Sequence, residues 1–275
     1  MKLLAGPYCG EFGWTLFCWQ AYLRWVSQQQ EFDSVIICGH DDTKALYNDF
    51  CTEWVSHNEW PIAPDCYTGR MKISNWWNGR YTIGDVLFRP NTKHVHYSAS
   101  WGSFWQEWDE SFRRQSFISY GNSGDGYDCL LHIRSTTKNG TGYRNWADNK
   151  WLELTKLLIS EGVSIGCVGS HTAAHHIDGC DDLRGLSLDK ITDIMASSKM
   201  IVGPSSGPLH LASLCKCHQV VWSPMYNYNR YMYHWNPFNT KVSFIDEGCP
   251  GRDSAWNPSV NTVLNSVMKV INAHV

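Results

Sequence analysis

Met200-Ile201-Val202-Gly203-Pro204-Ser205-Ser206-Gly207-Pro208-Leu209-His210-Leu211-Ala212-Ser213-Leu214 reads as a buried strand, a tight turn of Ser, Gly and Pro, and a helix that begins at Pro208. Proline suits the first helical position, because the amide hydrogen it lacks would have no partner there. The amides that remain point outward with the positive end of the helix dipole, which is the geometry of an anion site. Ser205 and Ser206 add hydroxyl donors, Gly207 lets a ligand approach the backbone, and Leu209 contributes its amide. His210 lies one turn in, toward the same mouth. An ordinary strand-to-helix turn shares this local pattern, so the surrounding chain has to decide between them.

That chain alternates. Asp128 to Ile133 has the pattern of a strand, Asn149 to Glu161 of a helix, Val163 to Val168 of a strand and Leu188 to Ser198 of a helix, ahead of the strand Met200 to Gly203. A final helix runs from Ser259, as its N-cap, to Ala273. The first half opens the same way. A strand at Lys2 to Ala5 and a glycine-marked loop precede an amphipathic helix from Trp14 to Ser27, with Leu16, Trp19, Leu23 and Val26 at helical spacing. A strand at Ser34 to Cys38 follows, and Gly39-His40-Asp41-Asp42 leads into a helix through Phe50. Alternation of strand and helix implies parallel sheets. From Pro61 to Tyr97 the pattern loosens into loops and short strands. Tyr120 to Gly126, rich in Gly and small polar residues, marks a linker. The expected organisation is therefore an N-terminal Rossmann-like domain, 1–120, and a C-terminal nucleotide-binding Rossmann-like domain, 121–275, whose last helix is free to pack back on the first. A ligand would lie in the cleft between them.

Composition narrows the function classes. The 275-residue chain has a formal net charge of −3, which excludes a general polyanion binder. Eleven cysteines, an odd number scattered through a chain too large to need stapling, point to a reducing cytoplasm. The apolar start is too short for a signal peptide and no stretch approaches a membrane span, so no stable membrane insertion is expected. The 15 tryptophans supply core and, where exposed, stacking platforms.

Three segments resemble the heptosyltransferase-like glycosyltransferases of family 9. Ser205-Ser206-Gly207-Pro208-Leu209-His210-Leu211-Ala212 is similar to that family's Asp-Ser-Gly-Pro-x-His-x-Ala turn, and Leu183-Arg184-Gly185-Leu186-Ser187-Leu188 to its Leu-x-Gly-x-(Ser/Thr)-Leu. Arg144-Asn145-Trp146, ahead of Trp151-Leu152-Glu153-Leu154, resembles its basic residue and Trp before a helix. The resemblance implies an α/β fold of GT-B type, with two facing doubly wound domains, and transfer of a sugar from a nucleotide-diphosphate sugar. In the first domain the family carries Gly-Asp, with the Asp as general base; here Gly10-Glu11 stands in its place, followed by Gly13. Ser205 replaces an acidic residue that in the family contacts the donor.

Such a transfer must stabilise the departing diphosphate and take a proton from the acceptor hydroxyl. The turn at Ser205 to His210, with Arg134, Lys138 and Arg144 reaching from the loop after Ile133, is the candidate donor site. Glu11 is the candidate base, with capping of the helix near Trp14 as its alternative role. The reaction would invert the anomeric centre and use no metal and no cofactor beyond the nucleotide-sugar co-substrate, since no Asp-x-Asp occurs to hold a metal at the donor. The His171, His175 and His176 cluster, on a possible helix, and Cys215-Lys216-Cys217-His218 lack the ligand spacing of structural zinc, and read as helix-face histidines and buried thiols. Between Tyr67 and Tyr97 five Arg or Lys face one Asp, interleaved with aromatics. Arg70, Lys72, Trp76 and Trp77, with Gly10 and Gly13, are the acceptor-side candidates, for an anionic glycan or glycolipid. The alternative acceptor is hydroxymethylcytosine in DNA, as in a phage-type enzyme acting in the host cytoplasm. A sugar-nucleotide epimerase and a non-catalytic nucleotide-sugar binder are the readings outside transferases. Oligomeric state is not written in these features.

Overall fold

The computed structural model describes residues 1–8, 12–56, 80, 82–88, 114–251 and 254–273. The chain divides into two compact units, Met1–Phe117 and Ile118–Val275.

In the first unit β1 (Lys2–Ala5) lies between β2 (Ser34–Gly39) and β4 (Val86–Phe88), and β3 (Glu53–Ser56) extends the sheet beyond β2. All three pairings are parallel, as the strand and helix alternation implies. The helix after β1 starts earlier than its apolar spacing suggests. α1 (Phe12–Trp14) passes through a π-helical turn at Thr15–Trp19 into α2 (Gln20–Ser27), with Leu16, Trp19, Leu23 and Val26 all buried. Arg24 is fully buried within this unit. Its guanidinium pairs with Asp49 at 2.7 Å, donates to the carbonyls of Leu46 and Ser116, and lies 4.9 Å from the centre of the Phe50 ring, so every side of a costly buried charge is met. The segment expected as a helix through Phe50 is instead a 3-10 helix at Asp41–Tyr47. His40 Nδ1 accepts from the Asp42 amide and Thr43 Oγ donates to the His40 carbonyl, local bonds that tighten the turn. At the end of β1, Gly6 has φ +117°, and a Cβ there would sit 2.1 Å from the Cys38 carbonyl oxygen, so only glycine lets the loop leave the sheet this way.

The second unit holds six parallel strands: β5 (Cys129–Leu131), β6 (Ile165–Cys167), β7 (Asp181–Asp182), β8 (Met200–Pro204), β9 (His218–Trp222) and β10 (Val242–Ile245). Their order in space is β10-β9-β8-β5-β6-β7. Counted from β5 this is the 3-2-1-4-5-6 order of a dinucleotide-binding sheet, which reverses between β5 and β8. Both edge strands escape sequence reading: β7 is two exposed aspartates, and β10 is four residues long. The helices are α3 (Asp148–Ser160), α4 (Leu188–Ser197), α5 (Gly207–Leu214) and α6 (Val260–Asn272). The closing helix is capped by Ser259, whose Oγ accepts from the Thr262 amide at 3.0 Å, and it buries Val260, Val263, Val267 and Val270 in the core of this unit.

The stretch expected as a linker is docked. Asn122 donates through its amide and side chain to Asp193, and Gly124 through its amide to Ser197 Oγ. Gly121, at φ +87°, lies so close to α4 that a Cβ would be 2.1 Å from the Thr192 carbonyl oxygen. The small residues there serve close approach to a helix rather than freedom of the chain. The histidines at 171, 175 and 176 do not share a helix either. They lie on a turn-rich loop, which pairs with the chain after β5 through an isolated bridge between Arg134 and Ala174.

Tryptophan builds the core of the second unit. Trp146, Trp151 and Trp222 meet with ring centres 5.0–5.4 Å apart, and all three are at most 2% exposed. Cys215 and Cys217 are buried free thiols. No described helix is long and apolar enough to cross a membrane. Replacing Trp222 by Ala removes the ring at the centre of this cluster and should destabilise the protein by about 3–5 kcal/mol. Urea unfolding monitored by far-UV circular dichroism would register that loss as a lowered midpoint.

Candidate functional site

In open sheets of this order, ligands bind beyond the carboxyl ends of the strands where the order reverses. Here those ends are His132 to Ser135 after β5 and Ser205-Ser206 after β8, so the turn identified in the sequence stands at the reversal point. α5 begins at Gly207 with Pro208 in its first turn. The His210 amide already donates to the Ser206 carbonyl at 3.1 Å. The amides of Gly207 and Leu209 precede it, in the turn where a helix has no internal acceptor to offer. Ser206 occupies the N-cap position without capping: its hydroxyl oxygen is shielded from solvent and has no partner among the described residues. Leu209 is fully buried, so only its backbone is available to a ligand.

Around this mouth lies a group of side chains that the turn itself does not announce. Tyr231, on a π-helical segment at Arg230–His234, is 1% exposed, and its hydroxyl donates to Ser205 Oγ at 2.9 Å. The same phenol oxygen lies 3.4 Å from His210 Nε2. The His210 ring stacks on Tyr231 with centres 4.5 Å apart and meets Trp235 edge-on at 4.7 Å. Ser213 locks helix and segment together by donating to the Trp235 carbonyl at 2.8 Å. Ser205, at 2% exposure, is thus engaged within the protein.

The charge at the mouth is positive. Burial, followed by the nearby Arg230 and Arg144, pushes the His210 pKa well below its ordinary value, so the imidazole is neutral. Arg230 lies over the Trp235 ring at 4.9 Å. Arg144 lies over the rings of Tyr143 and Trp256 at 5.6 and 5.3 Å, and its buried Nε has no partner among the described residues. Arg134 has a different environment. Its guanidinium donates to the carbonyls of Thr136 and Thr141, both at 2.9 Å, and to Asn145 Oδ1 and Thr141 Oγ1, so it shapes the loop that carries Arg144. Lys138 begins the 3-10 helix of that loop, Lys138–Arg144, and its side chain lies outside the described residues.

Of the candidates in the first unit, Gly13 sits in α1. Gly10, Glu11, Arg70, Lys72, Trp76 and Trp77 lie outside the described residues. Arg80, one of the charges of the basic stretch, pairs with Glu53 at 2.7 Å. No group of three or more His, Cys, Asp or Glu side chains gathers as a metal site among the described residues.

Sequence reading passed over Arg230, Tyr231 and Trp235. The signal was present: from Met225 to Lys241 the chain has six aromatic residues and two cations but no Asp or Glu. Only the fold shows that this run covers the mouth of α5.

His132, at the end of β5, adds a pH dependence. It is buried, its Nδ1 donates to the Val168 carbonyl at 3.1 Å, and burial lowers its pKa from 6.5 to about 4. The unfolded chain binds this proton more readily than the folded one, so the stability contributed is whole above pH 6.5, declines as pH falls toward 4 and levels off below. The expected loss is on the order of 3 kcal/mol. His132→Asn should flatten that part of the stability profile in urea titrations at pH 4.5, 5.5 and 7; an unchanged slope would refute the assignment.

No family profile matches the sequence, and no curated protein is similar to it. Solved structures share its fold. A glycosyl transferase of family 9 from Veillonella parvula DSM 2008 superposes with a TM-score of 0.61 at 8% identity, covering 99% of this chain and 97% of that one. The E. coli ADP-heptose LPS heptosyltransferase II gives 0.57 at 13% identity and 99% of both chains. E. coli heptosyltransferase WaaC with ADP gives 0.57 at 12%, covering 98% of this chain and all of that one. The fold is therefore GT-B, as the resemblance in the sequence implies.

Proposed function

We propose that this chain is a glycosyltransferase that moves a sugar from a nucleoside-diphosphate sugar to an acceptor hydroxyl, with inversion and without a metal. The observation that carries the reading is the mouth of α5. Backbone amides, a Ser206 hydroxyl without a partner among the described residues and two arginines converge there, at the strand reversal of a fold shared with an ADP-heptose transferase and with WaaC holding ADP. A diphosphate is the ligand that this set of donors serves best.

In the reaction the acceptor oxygen forms its bond to the anomeric carbon as the carbon–oxygen bond to the β-phosphate breaks. The acceptor proton passes to the Glu11 carboxylate, and the electron pair leaves on the nucleoside diphosphate. Developing charge on that leaving group is met by the Gly207 and Leu209 amides, Ser206, Arg144 and Lys138, while Arg134 holds the loop that presents the cations. A neutral His210 adds no charge of its own and works as part of the wall. On the acceptor side Arg70, Lys72, Trp76 and Trp77 favour an anionic, stackable acceptor, either a glycan or glycolipid or a hydroxymethylated base in DNA.

A thermal-shift panel of ADP, UDP, GDP and their sugars should identify a nucleotide that raises the melting temperature. With that donor, Glu11→Gln should retain donor binding and lose transfer by at least about a hundredfold. Full activity in Glu11→Gln would remove the base assignment. Donor binding by the unmodified protein without transfer or donor hydrolysis would favour a silent binder.

A further inference from the structure

Arg144 reaches the mouth from a loop that the end of the chain holds in place. The connection from β10 to α6 closes on itself where the Asn257 amide donates to the Gly248 carbonyl at 2.8 Å. Gly248, at φ +69°, permits that turn, since a Cβ there would sit 2.7 Å from the Asn257 carbonyl oxygen. Three bonds tie the connection to the loop and to the start of α3. The Trp256 amide donates to the Tyr143 carbonyl at 2.8 Å, and the Trp146 indole and the Lys150 ammonium both donate to the Pro258 carbonyl, at 3.1 and 3.0 Å. The Trp256 ring is buried in the core of this unit, and its own N–H is given to the Gly251 carbonyl at 2.9 Å. It meets the Tyr143 ring edge-on with centres 5.6 Å apart, and the Arg144 guanidinium lies within cation–π distance of both rings.

A ring contact holds a guanidinium without taking the N–H groups of its fork, which a carboxylate would take. Tyr143 precedes Arg144 in the chain and moves with the loop, whereas Trp256 is anchored outside it, in the core. Resting on the reading of this mouth as the diphosphate site, we propose that Trp256 is the positioning residue of Arg144: its ring, fixed by the connection from β10 to α6, holds the guanidinium at the mouth with its fork open to a phosphate. Trp256 does not touch the diphosphate in this arrangement. A long side chain loses rotamer freedom when it grips a ligand, and a ring that has already restricted that freedom raises affinity without adding a contact.

Inorganic pyrophosphate is the probe, because it reports the cradle whatever the nucleoside or sugar. Isothermal titration calorimetry at low ionic strength should show that Arg144→Gln binds pyrophosphate about thirtyfold more weakly. Trp256→Leu, which keeps an apolar side chain in the core but removes the ring, should cost about fivefold, and Trp256→Phe, which restores a ring, should recover most of that loss. In the Arg144→Gln background Trp256→Leu should cost nothing further, because its whole effect passes through the guanidinium. A purely structural role for Trp256 would leave the same fivefold loss in both backgrounds. That additivity, or unchanged affinity in a folded Trp256→Leu or in Arg144→Gln, would overturn the inference while the diphosphate reading stands. If Trp256→Leu does not fold, Trp256→Phe decides in its place: a smaller loss that vanishes in the Arg144→Gln background supports the inference, and one that persists there, or no loss at all, overturns it. An unmodified protein that binds neither pyrophosphate nor any nucleoside diphosphate would overturn both.

Discussion

The reversal of strand order between β5 and β8 is the constraint on which the rest of the second unit depends. Where neighbouring strands send their chains to opposite sides, the space beyond their carboxyl ends stays open and a helix N-terminus can face it. Gly207 to Leu214 is that helix. Its exposed amides would otherwise be a liability, because first-turn donors without acceptors cost free energy when shielded from water. An anion bound there would supply the missing acceptors. Arg144 and Arg230 lie over aromatic rings, the nearby imidazole is kept neutral, and the N-cap serine hydroxyl has no partner among the described residues.

The same logic explains why Arg144 differs from Arg134. A guanidinium held over aromatic rings keeps its charge and part of its donor set for a ligand. A guanidinium that gives its hydrogens to a loop's carbonyls is part of the scaffold. Arg134 is of the second kind, and its product is the shape of the loop that delivers Arg144. Buried Arg24 plays the equivalent part in the first unit, where it ties α2 to Asp49 and the chain at Ser116.

Much of this was legible in the sequence, for identifiable reasons. The apolar strands β1, β2, β5, β6 and β8 are each short, buried and followed by turn residues, and the Ser-Gly-Pro turn marks the start of α5 locally. The docked stretch Tyr120 to Gly126 was misread because glycine serves both flexibility and close approach, and only the packing against α4 separates the two uses. The 3-10 helix at Asp41–Tyr47 depends on side-chain bonds that a helical periodicity does not encode. Tyr231 lies 26 residues beyond the Ser205 it contacts, and Arg230 directly precedes it. Their relation to Ser205 and His210 follows from the parallel pairing of β8 and β9, which sets the chain after β9 beside the turn after β8 and which no local pattern carries.

The central claim is that a diphosphate binds at the N-terminus of Gly207–Leu214. Titrating inorganic pyrophosphate into the 15N-labelled protein and following amide resonances tests it residue by residue. The largest changes are expected at Ser206, Gly207 and Leu209. Saturable shifts confined to other parts of the chain, with these three amides unmoved, would contradict it.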